Sequence, residues 1–537
     1  MKHLSLLIVL LILLCVARPL AALNQMEMLT NMTGEFHGSK FGYSLVSMDY
    51  NGDGYDDLIV HSLGWNPDGV YGEYDGNCWG KTYCYWGGPG FDNIADLTFS
   101  GTHLNGYNGP LHNAGDVNGD GYDDLLAYNY GNWTTVGIFF GGPTPSVVPD
   151  ILITKPGNVL HTLGAYPLGD INGDGKADLA LHAEVHVSRY SQTALYIWTG
   201  EDQEWHEVLS YVNRNLLFPY GVGDVNNDGI DDYGILYGIR GGEWSDRRIV
   251  LYYGSQSYPQ LDSLVIAENT NPDLGGNGFS PVGDVNGDGI DDFITWESKI
   301  WYGGDSLGVN PDLSLEFYTE WHDWSSMGNN KIPHCAYGDL NGDGYDDVIG
   351  SHYGVNYWSG EVAIWLGSAN MDPICDIYLR PPYLHNTRQF GWDKAAGDFN
   401  ADGLCDLAIS APEYYGAPAY DEGHVFVYSG NPDLVSNEDP LTPQLTDKLR
   451  MNISPNPLCG NREMSVTLTG LSKDSADPIH IEIYNLKGQL IHESLIASMQ
   501  SDELISTLSI GNQPSGIYFC RARNSRLSTT RRFAILK

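Results

Sequence analysis

Residues 116–125 read "DVNGDGYDDL", and lightly edited copies of this decapeptide begin at Asp49, Asp116, Asp170, Asp224, Asp284, Asp339 and Asp398. Successive starts are 67, 54, 54, 60, 55 and 59 residues apart. An internal period of that size marks an array of one supersecondary unit. Positions 1, 3, 5 and 9 are Asp, Asn, Asp and Asp in every copy. Position 6 is always Gly, which lets the backbone turn with positive φ.

Oxygen donors at odd positions around a tight turn, completed by the carbonyl of position 7, have the chemistry of a calcium cage. The expected ligands in the first three loops are Asp49, Asn51, Asp53, Tyr55 and Asp57; Asp116, Asn118, Asp120, Tyr122 and Asp124; Asp170, Asn172, Asp174, Lys176 and Asp178. The fourth and fifth loops supply Asp224, Asn226, Asp228, Ile230 and Asp232; Asp284, Asn286, Asp288, Ile290 and Asp292. The last two supply Asp339, Asn341, Asp343, Tyr345 and Asp347; Asp398, Asn400, Asp402, Leu404 and Asp406. A metal-free Asx turn explains one such side chain, but not three carboxylates converging on one point. Magnesium fits worse because it keeps its waters and takes fewer protein ligands. About seven structural Ca²⁺ are therefore expected. An EF-hand needs a bidentate Glu at position 12. Here that position holds Val60, Ala127, Leu181, Ile235, Thr295, Gly350 and Ile409.

Each loop runs into a short apolar stretch such as "LIV", "LALH" or "LAIS", of strand length and character. A second run, rich in Tyr or Trp and ending in Gly, follows: "TYCYWGG", "VGIFFGG", "LYIWTG", "VLYYG", "KIWYGG", "VAIWLG" and "VFVYSG". In "DDFITWESKIWYGG" the two runs are almost continuous, which only a β-hairpin allows. With a third run downstream and the run entering each loop, every unit supplies four strands. Seven four-stranded units describe an all-β, seven-bladed β-propeller. The seventh unit stops at "HVFVYSG" (424–430) one strand short, and "EMLTNMTG" (27–34) supplies the missing one. Both ends of the array thereby close one ring.

Acids outnumber bases 68 to 27 in the 537 residues, for a formal charge of −41. Such a surface repels nucleic acid and anionic membranes. Seven Ca²⁺ would bring the formal charge to about −27. Residues 1–22 read as a signal peptide, with "LSLLIVLLILLCVA" as its apolar core, and no transmembrane segment follows. Leu14 before Cys15 is too bulky for a lipobox. The exported chain keeps seven cysteines, an odd number, and Cys78 and Cys84 are close enough to staple one loop.

Phe41-Gly42-Tyr43-Ser44 and Phe390-Gly391, together with the D-x-N-x-D-G-x-x-D loops, resemble the FG-GAP/VCBS repeats of the integrin α-subunit propeller. The resemblance covers roughly residues 25–430, and the middle units lack a clean "FG". It implies calcium loops between the first two strands of each blade, with ligands bound on the opposite face. After a polar linker (431–448), residues 449–537 alternate as in "MSVTLTG" and "IHIEIYN", a small Ig-like β-sandwich. "SPNP" (454–457), "IYNLKGQLI" (483–491), "PSGIYF" (514–519) and "RRFAILK" (531–537) resemble the C-terminal sorting domain of type IX secretion substrates. An ordinary adhesion module is the alternative. The domains expected are thus 1–22, 23–430, 431–448 and 449–537. The sorting-domain resemblance implies type IX secretion machinery as a partner.

No HExxH, GxSxG or phosphate loop occurs. His182 and His186 lie on a predicted strand, where residues four apart stand about 13 Å from each other, so they do not share a zinc ion. The reading is a secreted or cell-surface, non-enzymatic adhesion and recognition protein for an extracellular protein or glycan ligand. An extracellular carbohydrate-active enzyme, such as a polysaccharide lyase, is the alternative. Trp65, Tyr71, Tyr74 and Trp79, in the long connection of the first unit, are the expected ligand contacts. Trp321 and Trp324 are further candidates, and blade packing is the competing role for such rings.

Overall fold

In the computed structural model the described residues run from 26 to 536. They exclude 37, 69–77, 102–108, 129–134, 155, 158, 188–189, 201–204, 212–214, 240–247, 257–261, 269–278, 296–297, 305–306, 317–334, 354–358, 383–386, 415–421, 437–449, 455–457, 460–462, 470–478, 486–488, 497–502, 510–512, 515 and 524–527. Residues 1–22, read above as a signal peptide, and Tyr71, Tyr74, Trp321 and Trp324 lie outside the described residues. The chain divides into two compact units, up to Asn437 and from Glu438 onward.

Among the described residues the first unit is built of seven four-stranded antiparallel sheets. Sheet 1 runs Phe41–Met48, Asp57–Ser62, Lys81–Tyr85 and Leu97–Ser100, in chain order. Sheets 2 to 6 repeat this order, opening with Leu111–Gly115, Val159–Gly169, Asn215–Gly223, Phe279–Gly283 and Ala336–Gly338. Each opening strand packs on the next, and Lys394–Gly397 of sheet 7 returns to Phe41–Met48 of sheet 1. The seven sheets therefore close a ring.

The aromatic runs have one packing role, repeated seven times. Residue 10 of each loop pairs across the sheet with the aromatic that ends the third strand. These pairs are Leu58–Tyr85, Leu125–Phe139, Leu179–Trp198, Tyr233–Tyr252, Phe293–Trp301, Val348–Trp365 and Leu407–Tyr428. Every residue 10 is fully buried. Phe293 and Trp301 stack at 5.5 Å between centroids, and Tyr233 and Tyr252 at 5.3 Å. Cross-strand pairs of this kind are the stabilising unit of an antiparallel sheet.

Sheet 7 contains Lys394–Gly397, Asp406–Ala411 and His424–Tyr428, with Met28–Thr33 as its outer strand. Met28–Thr33 pairs antiparallel with His424–Tyr428, so the N-terminal strand does complete the last sheet. The "FG" elements brace the junctions on either side of sheet 7, Phe41-Gly42 towards sheet 1 and Phe390-Gly391 towards sheet 6. Phe41 and Phe390 are buried, and their glycines sit at φ 83° and 84° against the neighbouring strands. The first unit also extends past residue 430. Leu434 is buried against the core of sheets 6 and 7, and Asn431 N–H donates to the Leu340 carbonyl at 2.8 Å.

The second unit has two sheets. Arg450–Ser454, Glu463–Thr469 and Glu503–Ser509 form one; Leu458–Cys459, Ser528–Leu536, Gly516–Arg523, Ile479–Asn485 and Leu490–Ile496 form the other. Strict alternation supplies the core: Met464, Val466 and Leu468 from one sheet, and Ile479, Ile481, Ile483, Tyr518, Cys520 and Ala522 from the other. Arg523 holds Glu482 with a 2.8 Å ion pair at its edge.

Met32 is 2% exposed in the closing strand. Met32→Ala should cost about 2–4 kcal/mol of the first unit's stability by urea unfolding. A change below about 0.5 kcal/mol, the range of an ordinary surface substitution, would mean that this strand does not lock the ring.

Candidate metal centres and the loop rim

Each loop is wound by its own carboxylates. In the first, Asp49 accepts from Asp53 N–H at 3.0 Å and Gly54 N–H at 2.8 Å. Asn51 Oδ1 accepts from Asp53 N–H, and Asp53 Oδ1 from Tyr55 N–H. The fifth loop repeats all four bonds between Asp284, Asn286, Asp288, Gly289 and Ile290. Gly at position 6 has φ between 84° and 94° in the seven copies, with open space where a Cβ would stand wherever that space is described. Conformation, not crowding, requires it there. Position 4 is also left-handed, and in the seventh loop it is Ala401 at φ 60°.

Position 9 does a different job. Asp57, Asp124, Asp178, Asp232, Asp292, Asp347 and Asp406 are all fully buried. One oxygen accepts the N–H of position 2 or 3, as in Val285→Asp292 at 3.0 Å and Asn400→Asp406 at 3.1 Å. The other accepts the N–H of the glycine after the third strand: Gly87, Gly141, Gly200, Gly254, Gly303, Gly367 and Gly430, at 2.7–3.1 Å. A Cβ on Gly87 or Gly141 would stand 2.1 Å from the carbonyl oxygen of Asp56 or Asp123. Close approach of two backbones is why the aromatic runs end in Gly.

Burial pushes the position-9 carboxyls up, to about 7 for Asp57, Asp124, Asp292 and Asp406 and about 8 for Asp178 and Asp232. Repulsion from positions 1 and 5 adds to the shift, and the backbone donors oppose it. The donor set is all oxygen: three carboxylates, an amide and a main-chain carbonyl within nine residues. That is hard-cation chemistry, and a divalent ion among these groups would remove the repulsion. Among the described residues no three His, Cys, Asp or Glu side chains are already gathered as a cage. The mutually repelling carboxylates are instead directed onto backbone N–H groups.

Position 8, which sequence reasoning overlooked, joins neighbouring sheets. Asp231 accepts the N–H of Asp170 at 2.7 Å, Asp291 that of Asp224 at 3.1 Å, and Asp346 that of Asp284 at 2.9 Å. Asp56 of sheet 1 accepts from Asp398 of sheet 7 at 2.8 Å, closing the circle. The glycine before position 1 makes room: a Cβ on Gly169 or Gly223 would lie 2.2 Å from the Asp231 or Asp291 carboxylate. The detectable signal was Asp at position 8 in five of the seven copies.

On the other rim, Trp65 and Trp79 are half-buried. Trp65 Nε1 donates to Glu35 at 2.8 Å, Glu35 pairs with Lys81, and the Lys81 ammonium lies 5.1 Å from the Trp65 ring centroid. The cation covers one face of that ring. The Cys78–Cys84 staple that their spacing allows is absent, because Cys84 forms no disulfide. Cys84 lies on Lys81–Tyr85, buried among Val46, Met48, Ile59 and Phe139, so its sulfur is committed to the core. The Glu35–Trp65–Lys81 cluster ties the connection down instead. His182 and His186 do lie on one strand, Asp178–Val187, and burial pushes the His182 imidazole down to about 3.

Parts of the chain match known families. Residues 41–75 and 390–428 match the FG-GAP repeat, and residues 452–536 match the secretion system C-terminal sorting domain. The protein thus carries FG-GAP repeats and a type IX sorting domain, which directs it to secretion and the cell surface. Over 183 residues it is 32% identical to integrin alpha-PS2 of Drosophila melanogaster, covering 31% of this chain and 13% of the integrin. Integrin alpha-6 of Homo sapiens is 28% identical over 162 residues, covering 30% and 13%. The match therefore spans only a small part of either integrin. The BP39L lectin of Burkholderia pseudomallei aligns at 13% identity and a TM-score of 0.41, covering 74% of this chain and 97% of the lectin. That likeness is too distant to carry an argument. Among the described residues no helix is long and apolar enough to cross a membrane.

Ala401 is the residue most at odds with its loop. Ala401→Gly should raise stability by about 1 kcal/mol, the usual cost of a Cβ in left-handed backbone, measured by urea unfolding. A decrease would show that the seventh loop is not wound as the others are.

Proposed function

We propose that this chain is a secreted, cell-surface recognition protein whose body is a seven-bladed, FG-GAP-type β-propeller stabilised by about seven Ca²⁺ and followed by an Ig-like β-sandwich. One observation carries the reading. Seven loops with one donor set and one backbone geometry stand at the same turn of seven sheets. Bound Ca²⁺ would supply the positive charge that three carboxylates per loop lack. Positions 1, 3 and 5 and the position-7 carbonyl would hold the ion from the solvent side. Position 9 would complete the set from within the core.

The integrin α likeness supports a recognition role, with an extracellular protein or glycan as ligand. No residue is assigned a catalytic part. The lyase alternative is tested by incubating the protein with polysaccharides, where new unsaturated ends would establish it.

The metal reading has a quantitative consequence. At a Kd near 10⁻⁴ M and roughly 1 mM calcium, each loop contributes about 1.4 kcal/mol, and seven contribute on the order of 10 kcal/mol. EDTA should therefore lower the melting temperature sharply, with calcium restoring it and magnesium failing to. Two variants separate metal from scaffold. Asp292→Ala loses two buried backbone bonds and should cost about 2–4 kcal/mol even in EDTA. Asp288→Ala should be damaging in calcium and nearly neutral in EDTA. Melting curves indifferent to EDTA would defeat the structural-calcium proposal.

Deleting residues 449–537 should leave a folded, calcium-responsive first unit that fails to reach the cell surface. Fractionation that finds the truncated chain on the surface would show that this domain has no sorting role.

A further inference from the structure

A groove of about 620 Å³ opens on the loop rim between sheets 1 and 2, lined among others by Asn51, Asp53, Trp86, Asp96, Pro143 and Pro145. Its volume falls within the usual range of small-ligand sites, about 300–1,000 Å³. Its walls are the turns joining the third and fourth strands of the two sheets, residues 86–96 and 140–150. Each wall is pinned at its base. Asp96 accepts the Trp86 N–H at 2.8 Å, and Asp150 accepts the Phe140 N–H at 2.9 Å. The second wall is also fastened to the first loop: Gly142 N–H donates to the Tyr50 carbonyl at 2.9 Å, and the Tyr50 hydroxyl donates to the Ser146 carbonyl at 2.7 Å. Trp86 is half-buried, packed against the core shared by the two sheets. The groove is thus largely formed before any ligand arrives.

We infer that this groove binds a neutral saccharide, one or two pyranose rings in size. No Lys, Arg or His lines it, and two carboxylates do, so an anionic ligand would be repelled. Those carboxylates are already engaged. Asp96 holds a main-chain N–H, while Asp53 accepts the Tyr55 N–H and belongs to the first calcium loop. Their remaining lone pairs can accept from O–H donors, so hydroxyl groups find partners in the groove. Trp86 and the two prolines supply the apolar surface on which the C–H face of a pyranose rests. The inference rests on the recognition role proposed above, but places a site on the loop rim, away from Trp65 and Trp79.

The test uses the full-length exported protein in calcium, titrated calorimetrically with dextran, mannan and galactan. Heparin and polylysine serve as anionic and cationic comparisons. At least one neutral polysaccharide should bind. Trp86→Ala should weaken it about tenfold or more, as truncation of an aromatic anchor does. Thr144→Arg, at an exposed groove residue remote from the core, should weaken binding similarly and covers the case in which Trp86→Ala disturbs folding. Trp65→Ala on the opposite rim should bind as the parent does. Equal binding by every variant, binding to heparin or polylysine alone, or no binding to the three neutral polysaccharides would overturn the groove. Loss in Trp65→Ala alone would also overturn it while leaving the recognition role standing. The recognition role itself falls only if a glycan array and overlays on extracellular proteins are both blank.

Discussion

Seven buried aspartates hold this structure in register. Each position-9 carboxylate bonds the start of its own loop with one oxygen and the exit of the third strand with the other. A buried carboxylate is tolerable only when its lone pairs are satisfied, and the donors here are backbone groups that also need partners. One side chain therefore settles two accounting problems at the point where three strands of a sheet converge. Position 10, next in sequence, turns to the opposite face and pairs with the aromatic across the sheet. Polar register and apolar packing are thus set by adjacent residues: position 9 is Asp in every copy, while position 10 is any of four apolar or aromatic types.

Closure of the ring depends on the residue on the other side of that aspartate. Position 8 reaches back to the preceding loop through its main-chain N–H, as in Asp231→Asp170 at 3.1 Å, Asp346→Asp284 at 3.0 Å and Cys405→Asp339 at 3.2 Å. Where it is Asp56, Asp231, Asp291 or Asp346, its carboxylate adds a bond to a neighbouring loop, whereas Asp123 accepts from Asn113 of its own sheet. Where it is Ala177 or Cys405, the glycine ahead of the previous loop meets Cβ or Sγ instead. Loops, rather than strands, carry the repeated polar contacts between sheets on this rim. Metal bound at one loop would therefore stiffen its neighbours as well, by fixing the groups to which they are tied.

The repeat made most of the fold legible. Period, loop composition and paired apolar runs specify seven units of four strands, and the short seventh unit identifies the N-terminal strand as its complement. Contacts that depend on distance across the ring were not legible. Nothing local in "DGYDDL" says that the first of the last two aspartates serves the neighbouring sheet and the second its own. Cys78 and Cys84 suggested a staple by proximity in sequence, but strand alternation turns Cys84 into the core. Trp65 looked like a free ring on a long connection. Only the fold brings Glu35 and Lys81, 46 residues apart, onto it.

The rim carrying the repeated loops is also where the chain varies within a fixed frame. In four of the turns between third and fourth strands, an aspartate ten residues on accepts the N–H at the turn's start: Trp86–Asp96, Phe140–Asp150, Tyr302–Asp312 and Leu366–Asp376. Between these constant ends the sequences differ freely. Each turn also displays an exposed aliphatic side chain: Ile94, Val148, Val309 and Ile374, 42–70% accessible. Variable residues on a rigid base are the usual setting for binding, and apolar groups gathered on an exposed face have no folding role to explain them. The integrin α resemblance directs attention to the opposite face. In this chain the loop rim combines rigidity, variation and exposed apolar groups, so the proposed recognition is to be sought on both faces.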